Sequence, residues 1–295
     1  MAATEGIAAT GFSQLWHLPR QLGQHRLPWI PIIVLSALLV CAALAPLLAP
    51  HDPRQINPIN GQIPPGESLS YPLGTDFLGR DILSRMIYGA RTTVIISLAS
   101  LLIGAVVGTL IGLVSGYHGG WIDALLMRTT DAALSFPTIL VALVILVFLG
   151  AGTIPVILAI VLTVWARFAR MIRGEVLTVK GQDFVTMAQI AGVSTAVILW
   201  RHIFPNVLNT LMVITSLLVG QIILLEAALS FLGVGLPPGS PAWGTMMSEG
   251  QDFILDLWWL ALFPGLAITI VVLAFNFFGD WLRDALDPKL RRALI

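Results

Sequence analysis

The side chains that could carry out chemistry are few in this chain, and they do not have the spacing of known catalytic or metal sites. The histidines are scattered without an H-E-x-x-H pair, so we expect no zinc site. The single cysteine lies inside an apolar run, which indicates a small packing residue. No G-x-x-x-x-G-K-[ST] loop is present to hold a nucleotide phosphate, and no serine lies in a G-x-S-x-G turn. We therefore predict no catalytic, cofactor-binding or metal site in this chain. The residues considered are His17, His25, His51, His118, His202, Cys41, Lys180 and Lys289.

Glu226 is the one carboxylate well inside an otherwise apolar segment. Counted from Val207 at 1.5 Å per residue, it lies roughly 28 Å along that segment, which places it near one edge of the hydrocarbon. Two interpretations are open. Glu226 can hydrogen-bond within the helix bundle and fix the turn through Gly233 and Gly235, or it can face a possible pathway entrance and attract a cationic ligand.

The stretch from 181 to 206 has polar residues, a glycine and a proline at fixed places between two long apolar runs. Asp183 can cap a helix N-terminus, and four apolar residues follow on one face at i, i+3, i+4 and i+7. The pattern predicts an amphipathic helix of about nine residues with no obvious place in its own chain to bury that face, so a partner protein could cover it. These apolar residues are Phe184, Met187, Ala188 and Ala191.

Residues that follow this short helix predict how it ends. Gly192 suits the left-handed position of a helix C-terminus, and Ser194 can cap a second helix. Pro205 either ends that second helix or begins the next one at a position that needs no N–H. An ordinary amphipathic helix resting on the membrane surface is the alternative interpretation of the same pattern.

The elements that must position these residues are predicted to be membrane-spanning helices. Of the 295 residues, 57% are hydrophobic and 11% are charged, whereas soluble domains have about 25% charged residues. We predict an all-α membrane protein with six transmembrane helices. The formal net charge of zero indicates no nucleic-acid surface. The predicted spans are 29–49, 93–115, 132–149, 153–166, 207–225 and 257–278, each long enough or nearly so for about 30 Å of hydrocarbon.

The remaining segments complete the predicted domain organisation. Residues 1–28 form a cytoplasmic or interfacial N-terminal segment, and the first span, 29–49, is followed by an outer loop, 50–92. The second half of that loop predicts a surface helix with an Asp81–Arg85 pair at i,i+4. Residues 93–281 form a core domain of five transmembrane helices, and 282–295 form a tail. Arg167, Arg170 and Arg173 are expected to reach the membrane interface after the fourth span.

Small residues repeat every four positions in the second span, and the glycines of that repeat predict a groove. Such a stripe allows the backbone of another helix to approach closely. The pattern therefore predicts a helix-packing surface at Gly104, Gly108, Gly112 and Gly116.

The distribution of basic residues predicts the orientation of the chain. Of the 16 Lys and Arg residues, two lie in the N-terminal segment, one in the second loop, five in the fourth loop and four in the tail, and the other four lie in the remaining loops. Basic residues concentrate on the cytoplasmic side. Both termini and the stretch 181–206 are therefore predicted to be cytoplasmic.

Several motifs resemble the permease subunits of ATP-binding-cassette importers in the dipeptide, oligopeptide and nickel group, and more closely the second of the two permeases. The resemblance lies in PLGTDFLGRDILSRMIYGAR (72–91), RTTDAALSFP (128–137), the stretch 181–206, and in LLEAALSFLGVGLPPGSPAWGTM and LAFNFFGDWLRDALDP within 224–288. The family's loop motif is Glu-Ala-Ala, three variable residues, Gly, and a proline thirteen residues later. Ala188, Gly192 and Pro205 match it, whereas Thr186 replaces the glutamate and Met187 the first alanine.

The resemblance implies a type I importer permease fold in a prokaryotic inner or plasma membrane, with 93–281 as the core permease domain and 174–206 as its coupling loop. It implies that the helix within 183–192 couples to a separate ATPase subunit, and that this subunit binds ATP and Mg while this chain binds no cofactor. The implied partners are a second permease, one or two ATP-binding subunits and an extracytoplasmic solute-binding protein. The implied solute is a peptide, a nickel complex or glutathione.

A self-contained ion-coupled transporter or a channel is the main rival interpretation. Such proteins usually carry ionisable residues within their spans and often show repeated, broken helices. The predicted spans hold almost no charge, and no convincing internal repeat is present. The sequence therefore favours the importer permease.

Overall fold

The computed structural model describes residues 27–286, and the regular elements in that part of the chain are helices. Two segments predicted from the sequence, the N-terminal segment 1–28 and the tail 282–295, lie mostly outside the described residues. The helices are α1 Trp29–Ala43, α2 Ala45–Leu48, α3 Ile82–His118, α4 Gly120–Ser135, α5 Thr138–Leu149, α6 Thr153–Lys180, α7 Asp183–Ile190, α8 Thr195–Phe231, α9 Trp243–Gly250 and α10 Trp259–Leu286. Short 3₁₀ turns lie at Pro58–Asn60 and Gln251–Phe253.

Four of these helices, α3, α6, α8 and α10, are long and apolar enough to cross a membrane. The pair α4 and α5 makes a fifth candidate if it is counted as one span, although the two helices meet at an angle of 90°. The bend lies where Pro137 follows Phe136, because the residue before a proline is driven out of the helical region. The prediction that 132–149 forms one straight helix is therefore wrong.

Helix α1 is shorter than the span predicted for 29–49. It has 15 residues and ends at Ala43, and the four-residue helix α2 follows. Pro46 explains the break, because it has no N–H to donate to the carbonyl of Ala42. The apolar run is therefore divided between two helices.

Helix α3 is one continuous helix of 37 residues, so the separate surface helix predicted in the loop 50–92 is wrong. Asp81 is its N-cap and accepts hydrogen bonds from the backbone N–H groups of Leu83 and Ser84. Asp81 therefore does not pair with Arg85, whose guanidinium instead contacts Asp76 at 2.8 Å. A polar first turn continues into the apolar span because nothing in the sequence between them interrupts the backbone hydrogen bonds.

Helix α6 also extends beyond its predicted end at residue 166 and reaches Lys180. The three arginines expected to follow the span therefore lie inside the helix. Two of them pair with acids of α4: Arg173 with Asp123 at 2.6 Å, and Arg170 with Asp131 at 2.6 Å. The ion pairs lie between α6 and α4, while the buried residues Ile172 and Val176 continue the packing of α6 beyond its predicted end.

The glycine stripe of α3 lies against α6. A Cβ added to Gly108 would lie 2.3 Å from the carbonyl oxygen of Trp165, and one added to Gly112 would lie 2.8 Å from that of Ala169. A Cβ on Gly116 would meet Val176 at 2.8 Å. The backbones of α3 and α6 thus approach too closely for any side chain at these three positions.

A buried ionic cluster fastens the loop 50–81 to α9. Asp76 lies between Arg80, at 2.5 Å, and Arg85, and both arginines also reach Glu249 of α9, at 2.7 and 2.8 Å. Arg80, Arg85 and Asp76 are all nearly inaccessible. Because each charge faces an opposite charge, the cluster can remain buried, and removing one member would leave the others uncompensated.

Helix α8 contains a wider, π-helical turn at Ile198–Ile203, just before Pro205. The N–H of Phe204 bonds to the carbonyl oxygen of Leu199, five residues earlier. Since Pro205 has no N–H and its ring crowds the preceding turn, a wider turn lets the helix continue through it. Pro205 therefore lies within one long helix and does not separate two helices.

Candidate functional site

The short helix α7 lies where α6 ends and α8 begins, as the sequence predicts. It spans Asp183–Ile190, eight residues, and its N-cap is Gln182, which makes no side-chain capping bond. The prediction that Asp183 is the N-cap is therefore wrong by one position. Asp183 is in the first turn, where a carboxylate still interacts favourably with the helix dipole.

Gly192 ends α7 in the left-handed conformation, with φ of 74°. Its N–H donates to the carbonyl oxygen of Gln189 at 3.0 Å, and the N–H of Val193 donates to that of Ala188 at 3.1 Å. This pair of bonds is a Schellman motif, which turns the chain sharply away from the helix axis. Position 192 therefore has a positive φ, which glycine adopts without steric cost.

The apolar residues of α7 divide between two faces, which differs from the single face predicted. Val185 and Ala188 are buried against the chain itself, in a small core that includes Ile198 and Ile203 of α8. Met187 and Ile190 are 62% and 82% exposed. The prediction that α7 has no place within its own chain is thus wrong for one face. The exposed face still has no covering element in residues 27–286.

The predicted coupling residues fall on different sides of this division. Phe184 is half-buried at the edge of the core, while Ala191 and Thr186 are exposed. The hydroxyl of Thr186 donates to the carbonyl oxygen of Gln182 at 3.5 Å. Thr186 is therefore a surface residue on the first turns of α7.

Tyr117, at the end of α3, contacts Lys180 just before α7 and Gln189 near the end of α7. The ammonium of Lys180 donates to the backbone carbonyl of Tyr117 at 2.6 Å and lies over the Tyr117 ring, 5.4 Å from its centroid. The amide of Gln189 reaches the Tyr117 hydroxyl at 3.5 Å. Together with the buried face of α7, these contacts fix the orientation of the exposed face.

Glu226 lies inside the helix bundle and is 1% exposed. Its Oε1 accepts a hydrogen bond from the hydroxyl of Ser230, one turn later in α8, at 2.9 Å. Ser230 in turn packs against Gly235, where an added Cβ would lie 2.7 Å from the Ser230 backbone nitrogen. The hydrogen bond lies within α8, and Ser230 contacts the turn at Gly235, which favours the structural interpretation of Glu226.

Arg167, expected from the sequence to reach the membrane interface, instead contacts polar groups of two other helices. Arg167 of α6 donates from Nη1 to the side-chain oxygen of Gln221 in α8 and from Nη2 to the hydroxyl of Thr138 in α5, at 3.3 Å. Unlike Arg170 and Arg173, Arg167 has no carboxylate within ion-pair distance among residues 27–286. Gln221, a lone amide in an apolar run, is the sequence signal that could have indicated a polar partner.

Comparison with known proteins agrees with this arrangement. Residues 108–292 match the family model described as binding-protein-dependent transport system inner membrane component. Residues 13–65 match a second model, the N-terminal TM domain of oligopeptide transport permease C. The first match covers more than half of the chain and includes α7 and the residues that hold it.

Curated relatives match over almost the whole chain. The dipeptide transport system permease protein DppC of Alkalihalophilus pseudofirmus is 38% identical over 272 residues, covering 92% of this chain and 89% of the relative. The glutathione transport system permease protein GsiD of Pectobacterium atrosepticum is 38% identical over 282 residues, covering 96% and 92%.

A solved structure shares the fold at low sequence identity. A chain of the MetNI methionine ABC transporter, in an inward-facing conformation, superposes with a TM-score of 0.58 at 15% identity, covering 69% of this chain and 96% of that chain. The helical architecture and the family matches agree. The chain therefore belongs to the family of binding-protein-dependent transport system inner membrane components, and it is a multi-pass permease subunit of an ABC importer in the inner membrane.

Proposed function

We propose that α7 is the surface on which an ATP-hydrolysing subunit docks, and that this contact couples nucleotide binding to movement of the membrane helices. The observation that carries the proposal is the pair of exposed apolar side chains, Met187 and Ile190, on a helix whose opposite face is fixed in the core of the chain. Exposed apolar residues on a rigid helix are typical of a protein interface.

Peptides are the solute class that we propose. The relatives reported above are named for dipeptides and for glutathione, and glutathione is itself a small peptide derivative. Both solutes combine amide groups with a terminal carboxylate. Because two relatives point to the same chemistry, we place a short peptide ahead of a nickel complex as the transported solute.

The complete transporter that we propose has two permeases, one or two ATP-binding subunits that hold ATP and Mg, and an extracytoplasmic solute-binding protein. In this arrangement α1 and the bent pair α4–α5 complete a set of six membrane passages. Both termini and α7 then lie in the cytoplasm, in keeping with the basic residues in these segments. The loop 50–81 and α9 then lie on the outer side.

The experiment that tests the docking surface replaces Ile190 by glutamate. Ile190→Glu should leave folding unchanged, because the side chain is already 82% exposed. It should reduce the ATPase subunit that copurifies with the permease about tenfold or more, since a central apolar contact is worth about 2 kcal/mol. Uptake of a radiolabelled dipeptide by cells should fall in parallel.

Leu69→Glu is the matched control, because Leu69 is a fully exposed apolar residue in the loop 50–81, far along the chain from α7. This variant should keep both the copurified ATPase and dipeptide uptake. Full recovery of the ATPase subunit with Ile190→Glu would show that α7 is not the docking surface. Normal assembly of the wild type without dipeptide uptake would instead reject the proposed solute.

A further inference from the structure

We propose that Arg167, Gln221 and Thr138 form an anion subsite on the translocation pathway, and that it receives a carboxylate of the transported solute. The inference rests on the proposed function for the direction of transport and the peptide class. The observation behind it is a partly exposed guanidinium deep inside the membrane-spanning part of the chain.

The depth of Arg167 sets the first constraint. It lies 14 residues after the start of α6 at Thr153, or about 21 Å along the helix. Gln221 lies 10 residues before the end of α8 at Phe231, or about 15 Å from it. Taking these two helix ends as the outer edge of the membrane, both residues lie within the ~30 Å of hydrocarbon that a membrane-spanning helix crosses.

A charged side chain at this depth is costly against lipid, and such residues face a protein interior or a water-filled cavity. Arg167 and Thr138 are half-buried and Gln221 is exposed, so the chain itself does not enclose them. The surface formed by α5, α6 and α8 at this level therefore faces water or the second permease. We infer that the solute crosses along this surface of the proposed importer.

The guanidinium of Arg167 can still bind a carboxylate. Arg167 contacts only the neutral oxygens of Gln221 and Thr138 among residues 27–286, whereas Arg170 and Arg173 are paired with Asp131 and Asp123. Guanidinium groups bind carboxylates with two parallel hydrogen bonds. The two neutral contacts orient the guanidinium without neutralising its charge.

A cavity of about 190 Å³ opens beside the cluster. Arg167, Gln221 and Thr138 provide its polar wall, and aliphatic residues such as Ile139 and Leu225 line the rest. At about 30 Å³ per water molecule, this volume is that of roughly six waters, which suits one end of a small peptide. A peptide's C-terminus presents a carboxylate beside a side chain, and this cavity offers a guanidinium for the first and an aliphatic wall for the second.

The first test measures the local potential with small charged thiol reagents. Ile139→Cys is placed in a Cys41→Ala background of the assembled transporter, and its reaction rates with anionic and cationic methanethiosulfonates are each divided by the rate with a small free thiol. We expect the anionic reagent to be favoured about fivefold by a nearby unpaired positive charge. Adding Arg167→Gln should remove that preference.

Arg170→Gln is the matched control. It also removes one positive charge, three residues after Arg167, but that charge is already paired with Asp131. It should keep the anionic preference. An anionic preference that survives Arg167→Gln would overturn the proposal. So would an introduced thiol at position 139 that reacts with neither charged reagent in the assembled transporter.

The second test compares uptake of a dipeptide with uptake of the same dipeptide as its C-terminal amide. Arg167→Gln should reduce uptake of the free acid at least about fivefold relative to the amide, while the copurified ATPase is unchanged. Equal losses for both solutes would overturn the carboxylate assignment. An anionic reagent preference together with no uptake of any dipeptide would reject the peptide as solute and leave the anion subsite standing.

Discussion

Replacing Gly108 by alanine should force α3 and α6 apart, and the same change at Gly104 should not. A Cβ on Gly108 would lie 2.3 Å from the carbonyl oxygen of Trp165 and 2.5 Å from Cβ of Phe168. A Cβ on Gly104 would find its nearest neighbour, Cγ1 of Val164, at 3.6 Å. The two positions are one turn apart on the same helix, so the pair isolates the effect of the close approach.

The magnitude follows from these distances. An ordinary contact needs at least 3.4 Å, so Gly108→Ala requires a shift of about 1 Å between two backbones. Overpacking of this kind costs about 1–3 kcal/mol. Gly104→Ala adds a methyl group at ordinary contact and gains up to about 1 kcal/mol of helix propensity.

The assay is the thermal stability of the purified permease in detergent, followed by the loss of monodisperse protein on heating. At about 2–4 °C per kcal/mol, Gly108→Ala should lower the midpoint by about 2–12 °C. Gly104→Ala should leave it unchanged or raise it slightly. Equal midpoints for the two variants would refute the reasoning from the glycine distances.

Three further predictions concern single positions. Gly192→Ala should reduce transport while assembly of the membrane helices persists, because a positive φ costs a side-chain-bearing residue about 1 kcal/mol; unchanged transport would contradict the role of the Schellman motif. Glu226→Gln should assemble and transport almost normally, since the amide oxygen can still accept a hydrogen bond from the Ser230 hydroxyl. Glu226→Leu should reduce the yield of assembled complex, and equal yields for the two variants would argue against a structural role. Cysteines introduced at Ser194 and Ser70 in a Cys41-free background should be labelled from opposite sides of the membrane, and labelling of Ser194→Cys from outside would reverse the proposed orientation.

The features that the sequence predicted well depend on local or periodic constraints. Gly192 is in the left-handed conformation because the helix end and the glycine are adjacent in the chain. The stripe that includes Gly108 and Gly112 marks a close approach wherever its partner helix lies. In each case a few neighbouring residues contain the whole physical reason.

The features that it did not predict depend on partners far along the chain. Arg85 was expected to pair with Asp81, one turn away, but Asp81 caps the helix and the guanidinium turns to Asp76 and Glu249. Glu249 lies in a different helix, α9, and no periodic pattern connects it to Arg85. The polar contacts of Arg167 are hidden for the same reason.

Helix boundaries were predicted less well than the helices themselves. Hydropathy marks the part of a helix that lies in lipid, whereas the helix continues for as long as its backbone bonds do. Helix α6 thus runs on to Lys180, with Ile172, Val176 and Val179 buried in this part of the helix. The same continuity joins the polar first turn of α3 to its apolar span.

Helices α6 and α8 are connected to each other at both of their ends, so we expect the two helices to move as one rigid unit. At one end the N–H of Gly152 donates to the carbonyl oxygen of Gly235 at 2.9 Å, and at the other Val185 and Ala188 of α7 fill the space between the two helices. Helix α8 is 37 residues long, or about 55 Å, so a tilt of about one degree displaces its far end by about 1 Å. If α7 docks the ATPase subunit as proposed above, we expect a displacement of α7 to tilt α6 and α8 together more readily than it slides one helix past the other.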